Sequence, residues 1–576
     1  MREKLAQAFE QREAYRGQGT DMTMRRSWMV LAAAALLAGC SQPARERPAD
    51  LIVYGRVWTG DSAVPTAAGI AVRGGTIVAV GSQREIGRFR GPATRVLDNG
   101  ERSVVPGFGD SHTHFINGGF QLMSVDLRDA ATPAEFVRRL AVFAKRLPKG
   151  TWILGGDWDH ERWPGAPLPR KEWIDSVTPD HPVFVSRLDG HMGVANSAAL
   201  RLARITRASR APQGGEILRD SATGEPTGLL KDNAMDPIWR AVPDRTTTET
   251  DSALAVALRH AAENGVTTIH SVDGWGDLAA FKRALARNSL TARVYAFVPI
   301  STWRMLADTV RAVGRGDDWL RWGGLKGFMD GSLGSTTAAF FEPYLDAPNT
   351  RGLLVNDSAT MRSWILSADS AGLQVGIHAI GDRANVELLD FYAEAARLHG
   401  GRDRRFRIEH AQHLRQADIP RFGQQGIVPV MQPYHAIDDG RWAYKRLDTL
   451  RLRGTYAFRS LLASDAHLAF GSDWTVAPLS PLLGIYAAVT RRTLDDRNPG
   501  GWFPEEKVTL EQALRAYTAG VAYAGFMEGR TGTLRPEMLA DIVLLNRDLF
   551  AIPPESLRTV RVQATIMGGR VVYERR

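Results

Sequence analysis

Two histidines two positions apart, His112 and His114, close the stretch 103–114, which reads S-V-V-P-G-F-G-D-S-H-T-H. Side chains at i and i+2 of a strand point the same way, so both imidazoles can reach one metal ion. Lys326, His378, His410 and Asp473 each sit in, at the end of or just after another apolar, strand-like run. Three of those runs read Q-V-G-I-H, F-R-I-E-H and H-L-A-F-G-S-D. Histidines and carboxylates at successive strand tips are what a barrel needs to surround one or two divalent ions at its C-terminal mouth. The chemistry this predicts is metal-dependent hydrolysis.

Such tips need strands beneath them. The apolar runs 103–108, 266–271, 293–300, 324–328, 374–378, 406–409, 427–431 and 468–471 predict eight parallel strands. The stretches 251–264, 384–398 and 510–519 have apolar residues three and four apart and predict helices between or after them. Gly265 and Gly400 fit C-terminal caps of the first two. The pattern predicts an α/β chain built on a (β/α)8 TIM-like barrel over residues 103–524. The gap between the first two strands is far longer than one helix requires. It holds W-I-L-G-G-D-W-D-H-E-R-W-P and V-F-V-S-R-L-D-G-H-M-G, so residues 119–250 are expected to form a subdomain inserted above the mouth. Lids in that place exclude water and shape specificity. At the two chain ends, A-D-L-I-V from Ala49 and A-D-I-V-L from Ala540 open short alternating strands with Gly-containing turns. Neither end alone has enough strands to bury a face. Residues 49–102 and 525–576 are therefore expected to pair as one small β-sandwich lobe.

At 576 residues the chain exceeds one ordinary domain, and 44% hydrophobic with 23% charged residues is the make-up of a folded globular protein. The net charge of +9 is diffuse, without a Lys/Arg run or a basic–aromatic stripe, which argues against nucleic-acid binding. The one cysteine, Cys40, excludes an intrachain disulfide and a thiolate metal site. It closes L-A-G-C after a basic start at Met24 and an apolar run from Trp28 to Ala38. That run is too short for a spanning helix, which takes roughly 20 residues, and fits a signal peptide over 24–39. L-A-G-C resembles the lipobox of bacterial lipoproteins, which implies an acylated Cys40. Ser41 in place of Asp implies the outer membrane, with the protein facing the periplasm. Two or more acyl chains anchor a protein firmly. Residues 1–23 are expected to be an upstream extension and 40–48 a polar tether.

P-G-F-G-D-S-H-T-H (106–114) resembles the first metal motif of the amidohydrolase superfamily. L-K-G-F-M-D-G-S-L-G-S (325–335), I-H-A-I-G-D-R-A (377–384), R-I-E-H-A-Q (407–412) and G-S-D-W (471–474) are similar to one branch of it. That branch, amidohydrolase family 3, includes the N-substituted formamide deformylases, and the resemblance runs from about Ala49 to Glu574. It implies that His112, His114, Lys326, His378, His410 and Asp473 hold two divalent ions. Zinc is the default for a His-rich site with an open position, with iron, manganese or nickel as alternatives. A cationic lysine would be repelled there, but a desolvated lysine gives up its proton readily. The neutral amine can take up CO2 as a carbamate, and the resemblance implies that Lys326 in this form bridges the two metals. Paired ions lower the pKa of a shared water so that hydroxide forms near neutral pH. By the same resemblance Asp473 is also the general base, then the acid that protonates the departing nitrogen.

The segments around Asp157-Trp158-Asp159, Asp189-Gly190-His191 and Asp330-Gly331-Ser332 are candidates for the substrate pocket, with Trp158, His191 and Asp330 as contact residues. His270, at the tip of strand two, is the residue most easily mistaken for a ligand. His160, His181, His260, His399, His413, His435 and His467 receive no role. The expected function is hydrolysis of a non-peptide C–N bond in a small amide or N-substituted formamide. The expected enzyme is exported and lipid-anchored, has no nucleic-acid partner, and has a homodimer as one option. Two other readings stand beside it. The same site could hydrolyse an ester, lactone or phosphoester, since fold does not determine substrate. A non-catalytic lipid-anchored binding or regulatory protein would be marked by lost ligands, and none of the six is lost.

Overall fold

The computed structural model describes residues 46–575. The upstream extension, the signal segment and Cys40 lie outside the described residues.

Eight strands form one parallel sheet in chain order: Phe108–Thr113, Val266–Ser271, Arg293–Pro299, Leu320–Phe328, Gln374–Ala379, Arg407–His410, Val428–Met431 and Ala469–Phe470. A parallel bridge between Thr113 and Trp474 brings the chain leaving the last strand onto the first, and the sheet is a (β/α)8 barrel. Helices cover its outer face, so strands are buried on both sides and read as near-continuous apolar runs. Every position of Gln374–Ala379 and Arg407–His410 is buried. The helix Thr247–Glu263 starts at a capping box between Thr246 and Glu249. It stops at Asn264-Gly265, where φ of +75° is a left-handed conformation that glycine adopts without strain.

The first barrel strand departs from the expected 103–108. Residues up to Pro106 complete a long strand, Arg95–Pro106, of a different sheet, and the barrel begins at Phe108. Gly107 makes the switch between them. Its N–H donates to the Asp541 carbonyl at 2.8 Å, and a Cβ there would lie 2.2 Å from Thr267 Oγ1. Only a residue without a side chain passes at that separation.

Strands from both chain ends build that second sheet, in the order Arg570–Glu574, Val562–Met567, Ile542–Leu545, Arg95–Pro106, Leu51–Trp58, Thr66–Arg73, Thr76–Gly81. Ile542 pairs with Pro106 and Leu544 with Val104, so the seam between the two ends runs through the sheet's middle. Val53, Ile70, Val104, Ile542 and Ile566 pack into one core on its face. A buried bidentate ion pair, Arg293 to Asp541 at 2.7 and 2.9 Å, ties this sheet to barrel strand three.

Between barrel strands one and two the chain forms a six-stranded mixed sheet with hydrophobic cores of its own. Trp158 belongs to one of those cores and not to the pocket. It is wholly buried, its ring packs against Phe136 and Trp163, and its indole N–H donates to the Val185 carbonyl at 2.8 Å. A large ring with one satisfied polar atom is what an insert of this size needs to hold itself together.

Candidate metal centre

Alternation along barrel strand one and the turn after it brings His112 and His114 to the mouth. His112 is wholly buried, and its Nε2 lies 3.5 Å from Asp473 Oδ1; His114 Nε2 lies 3.4 Å from the same oxygen. Ligand atoms of these three residues all fall within 4.8 Å of one another. That spread is close to what one ion with bonds of about 2.0–2.2 Å requires. Asp473 follows barrel strand eight in a left-handed conformation, φ +56°, and its amide donates to the His112 carbonyl at 2.8 Å. The backbone itself thus aims the carboxylate.

The other three residues close the ring. Lys326 Nζ is 3.0 Å from His112 Nε2, and the His378 and His410 rings lie 4.5 Å apart, with His410 4.9 Å from His112. The residues predicted from strand ends therefore meet at one place. Burial and the Lys326 charge bring His112 down to about 4, and burial holds His378 and His410 well below the usual imidazole range. Neutral imidazoles are the form that binds metal. Burial brings Lys326 down to about 8, against the upward pull of Glu409 and Asp473. An amine so placed is within reach of the neutral state that carbamate formation needs. Burial alone would raise Asp473, but His112, His114 and His410 hold it well below the carboxylate range. Against its own burial, His114 is drawn up to about 10 by Asp273 and Asp473, an environment that favours any cation.

One atom tests whether a metal fits. Asp473 Oδ1 is buried and accepts no hydrogen bond from the described residues. A buried ionised oxygen without a donor is costly unless a cation sits beside it. Two imidazole nitrogens, this oxygen and the flanking amine form a donor set suited to a divalent ion of intermediate softness.

Beneath the ligands lies a layer that sequence reading did not assign. His112 Nδ1 is 2.5 Å from Glu409 Oε2, and Glu409 is gripped by Arg407 through two contacts of 2.7 and 2.9 Å. His114 Nδ1 is held by Asp273, and His410 Nδ1 by Gln432 Oε1 at 2.9 Å. Partners of this kind fix the ring and tautomer of a ligating histidine. Asp110 accepts from the amides of His112 (3.1 Å) and Ser472 (2.9 Å), binding the tips of strands one and eight together. The signal was present in part: R-I-E-H places two charges in a four-residue buried strand, and alternation puts them on one face. His270 is no ligand. Its Nδ1 contacts Arg407 at 2.9 Å, inside the barrel.

A cavity of about 200 Å³ opens over the centre, lined by His114, Lys326, His378, His410 and Asp473 at one pole. His191 reaches it from the insert, oriented by Asp232 at 2.6 Å and 5.0 Å ring to ring from His378. His435, given no role from sequence, also lines it. Asp330 does not. It is fully buried, and its two oxygens accept the amides of Ile380, Ala339 and Gly381 at 2.8–2.9 Å. Its carboxylate splices the turns after strands four and five. Asp330→Ala should strand three buried N–H groups and lower stability by about 3–5 kcal/mol, at roughly 1–3 kcal/mol each, less what relaxation recovers. The urea midpoint at constant slope measures it, and a change below about 1 kcal/mol would refute the bracing role.

A family model described as "Amidohydrolase family" matches residues 95–573. Protein LONG AFTER FAR-RED 3 of Arabidopsis thaliana is 40% identical over 91% of this chain and 92% of its own length. The N-substituted formamide deformylase of Arthrobacter pascens is 28% identical over 91% of this chain and 98% of its own. Among solved structures, an uncharacterized metal-dependent hydrolase from Pyrococcus horikoshii superposes with a TM-score of 0.70 at 25% identity, covering 88% of this chain and 99% of that one.

Proposed function

Since the chain belongs to the amidohydrolase family, we propose that it hydrolyses a non-peptide carbon–nitrogen bond in a small amide or N-substituted formamide. His112, His114 and Asp473 would hold a divalent ion, with Lys326, His378 and His410 completing the set for a second. A divalent ion at such a site supplies Lewis acidity and acidifies water. The chain's own groups do the rest. Asp473, ionised and without a hydrogen bond at Oδ1, can take a proton and carry it to the leaving nitrogen, which departs poorly as an anion. His191, locked by Asp232, points an imidazole edge into the cavity where a carbonyl substituent can accept from it. The insert and the barrel loops both line the cavity over the site.

The observation that carries this reading is the orphaned Asp473 oxygen between two imidazole nitrogens at a barrel mouth. Among the similar proteins, the formamide deformylase is the one reported above whose name states a C–N substrate, and it supports the formamide reading. Stripping metal with a chelator should lower hydrolysis of N-substituted formamides by at least about 100-fold, with recovery on adding zinc, manganese, iron or nickel. A panel of formamides, amides, esters and lactones run on the same protein decides the bond type. Undiminished activity after complete metal removal would refute the proposal, and esters turning over with amides inert would move it to the other bond. Anchorage to the envelope through Cys40 rests on the L-A-G-C motif and is part of the same proposal.

A further inference from the structure

We infer that the substrate carries, at the end remote from the scissile bond, a cationic or several-fold N–H-donating group, and that the helix Pro433–Asp439 recognises it through Asp438 and Asp439. This rests on the amide-hydrolase reading and narrows it to a substrate class.

The helix follows barrel strand seven. His435, Asp438 and Asp439 are three and four residues apart, share one helical face, and all line the cavity. Each presents an atom that the described residues leave unpaired. His435 Nε2 is sealed from solvent without a hydrogen bond. Asp438 accepts at Oδ1, from Arg441, and nothing donates to its Oδ2. Asp439 accepts at Oδ2 from Gln412 (3.0 Å) and Tyr456 (2.6 Å), and nothing donates to its Oδ1. A buried polar atom is normally satisfied, so the sealed His435 Nε2, beside two carboxylate oxygens that face the cavity without a protein donor, marks a face that awaits something entering the cavity.

The charge of that wall selects the ligand. The cavity has an arginine, Arg187, but it is spent: its NH1 binds Asp189 at 2.7 Å and its NH2 binds Asp159 at 3.0 Å. Arg441 is shared between Asp159 and Asp438. Four carboxylates therefore face two guanidiniums, and the two open oxygens are acceptors. A carboxylate or phosphate substrate would find no free cation here. An ammonium, amidinium or multiple N–H group would close both oxygens with charge-assisted hydrogen bonds. Burial pushes Asp439 up to about 7, and a cation at its open oxygen is what returns it to the charged form. Gln412, which holds Asp439, stands two residues beyond His410, so recognition begins one side chain away from the metal pole.

The test uses the zinc-loaded protein and three formamides of matched length: an N-formyl diamine, an N-formyl alkylamine and an N-formyl amino acid. The N-formyl diamine should exceed the other two in kcat/KM by about 10–100-fold, the range of one or two charge-assisted hydrogen bonds. In the Asp438→Asn/Asp439→Asn double variant the diamine-to-alkylamine ratio should fall by a similar factor, chiefly through KM. A native preference for the N-formyl amino acid, or a ratio unchanged in the folded double variant, overturns the inference. If none of the three is hydrolysed, the amide reading fails by itself, and calorimetric titration of the native protein still decides this one. Tighter binding of an alkyl diammonium than of an alkyl carboxylate of equal length supports it; equal or reversed affinity overturns it.

Discussion

Asp473→Asn is expected to lower turnover of amide substrates by about 10²–10⁴-fold, the range that a positioned general acid–base supplies. The substitution isolates the chemistry. Asparagine keeps the shape and one oxygen, and it tolerates the left-handed backbone, φ +56°, that aims this side chain. It cannot take a proton, and it replaces a carboxylate held well below its usual range by three histidines. The backbone bond from its amide to His112 is unaffected, so the strand-eight tip should stay in place. Metal content measured on the same preparation separates a lost ligand from a lost base: the expected result is a largely metallated protein that turns over slowly. A variant that hydrolyses formamides at the parent rate would remove Asp473 from the mechanism.

Arg407→Met should have the largest effect on the protein itself. Arg407 and Glu409 are both wholly enclosed, 0% exposed, inside the barrel. Burial would raise Glu409, but Arg407 and His112 hold it far down, so it is a carboxylate. Removing the arginine leaves that charge beneath His112 with one partner fewer, and breaking a buried pair from one side costs about 3–5 kcal/mol. The same loss frees the group that orients His112, so metal affinity should fall by about 10–100-fold. Denaturant unfolding of the metal-free protein reads the first effect and a competition titration reads the second. Arg407→Met/Glu409→Gln removes both charges and should regain most of the stability while leaving metal affinity low. Stability within about 1 kcal/mol of the parent for Arg407→Met alone would show that Glu409 needs no counter-charge there.

Much of this centre could be read without coordinates, because the signals involved are local. A strand tip is marked by where an apolar run ends, and His-x-His follows from alternation. The alternation of runs and amphipathic stretches marked the barrel because parallel strands under helices must be apolar on both faces. The errors share a cause as well. Residues 103–106 and 108–113 look like one continuous stretch, and only their pairing, the first with Ile542–Leu545 and the second with Val266–Ser271, shows that the chain changes sheet there. Trp158 and Asp330 looked like pocket residues because they sit beside turn-forming glycines or acids. Their partners, Phe136 and Trp163 for one, three backbone amides for the other, are brought in by folding.

From the sequence alone came the type of each candidate ligand, the strand that carries it, the family and the class of chemistry. Folding decided what surrounds those ligands: which carboxylates orient the imidazoles, that Arg187 is neutralised, and that Asp438 and Asp439 keep an open oxygen each. The reason is physical. Side-chain direction along a strand is set by neighbours one and two residues away, whereas the charge state and hydrogen bonding of a buried group depend on partners hundreds of residues distant, as His112 and Glu409 are.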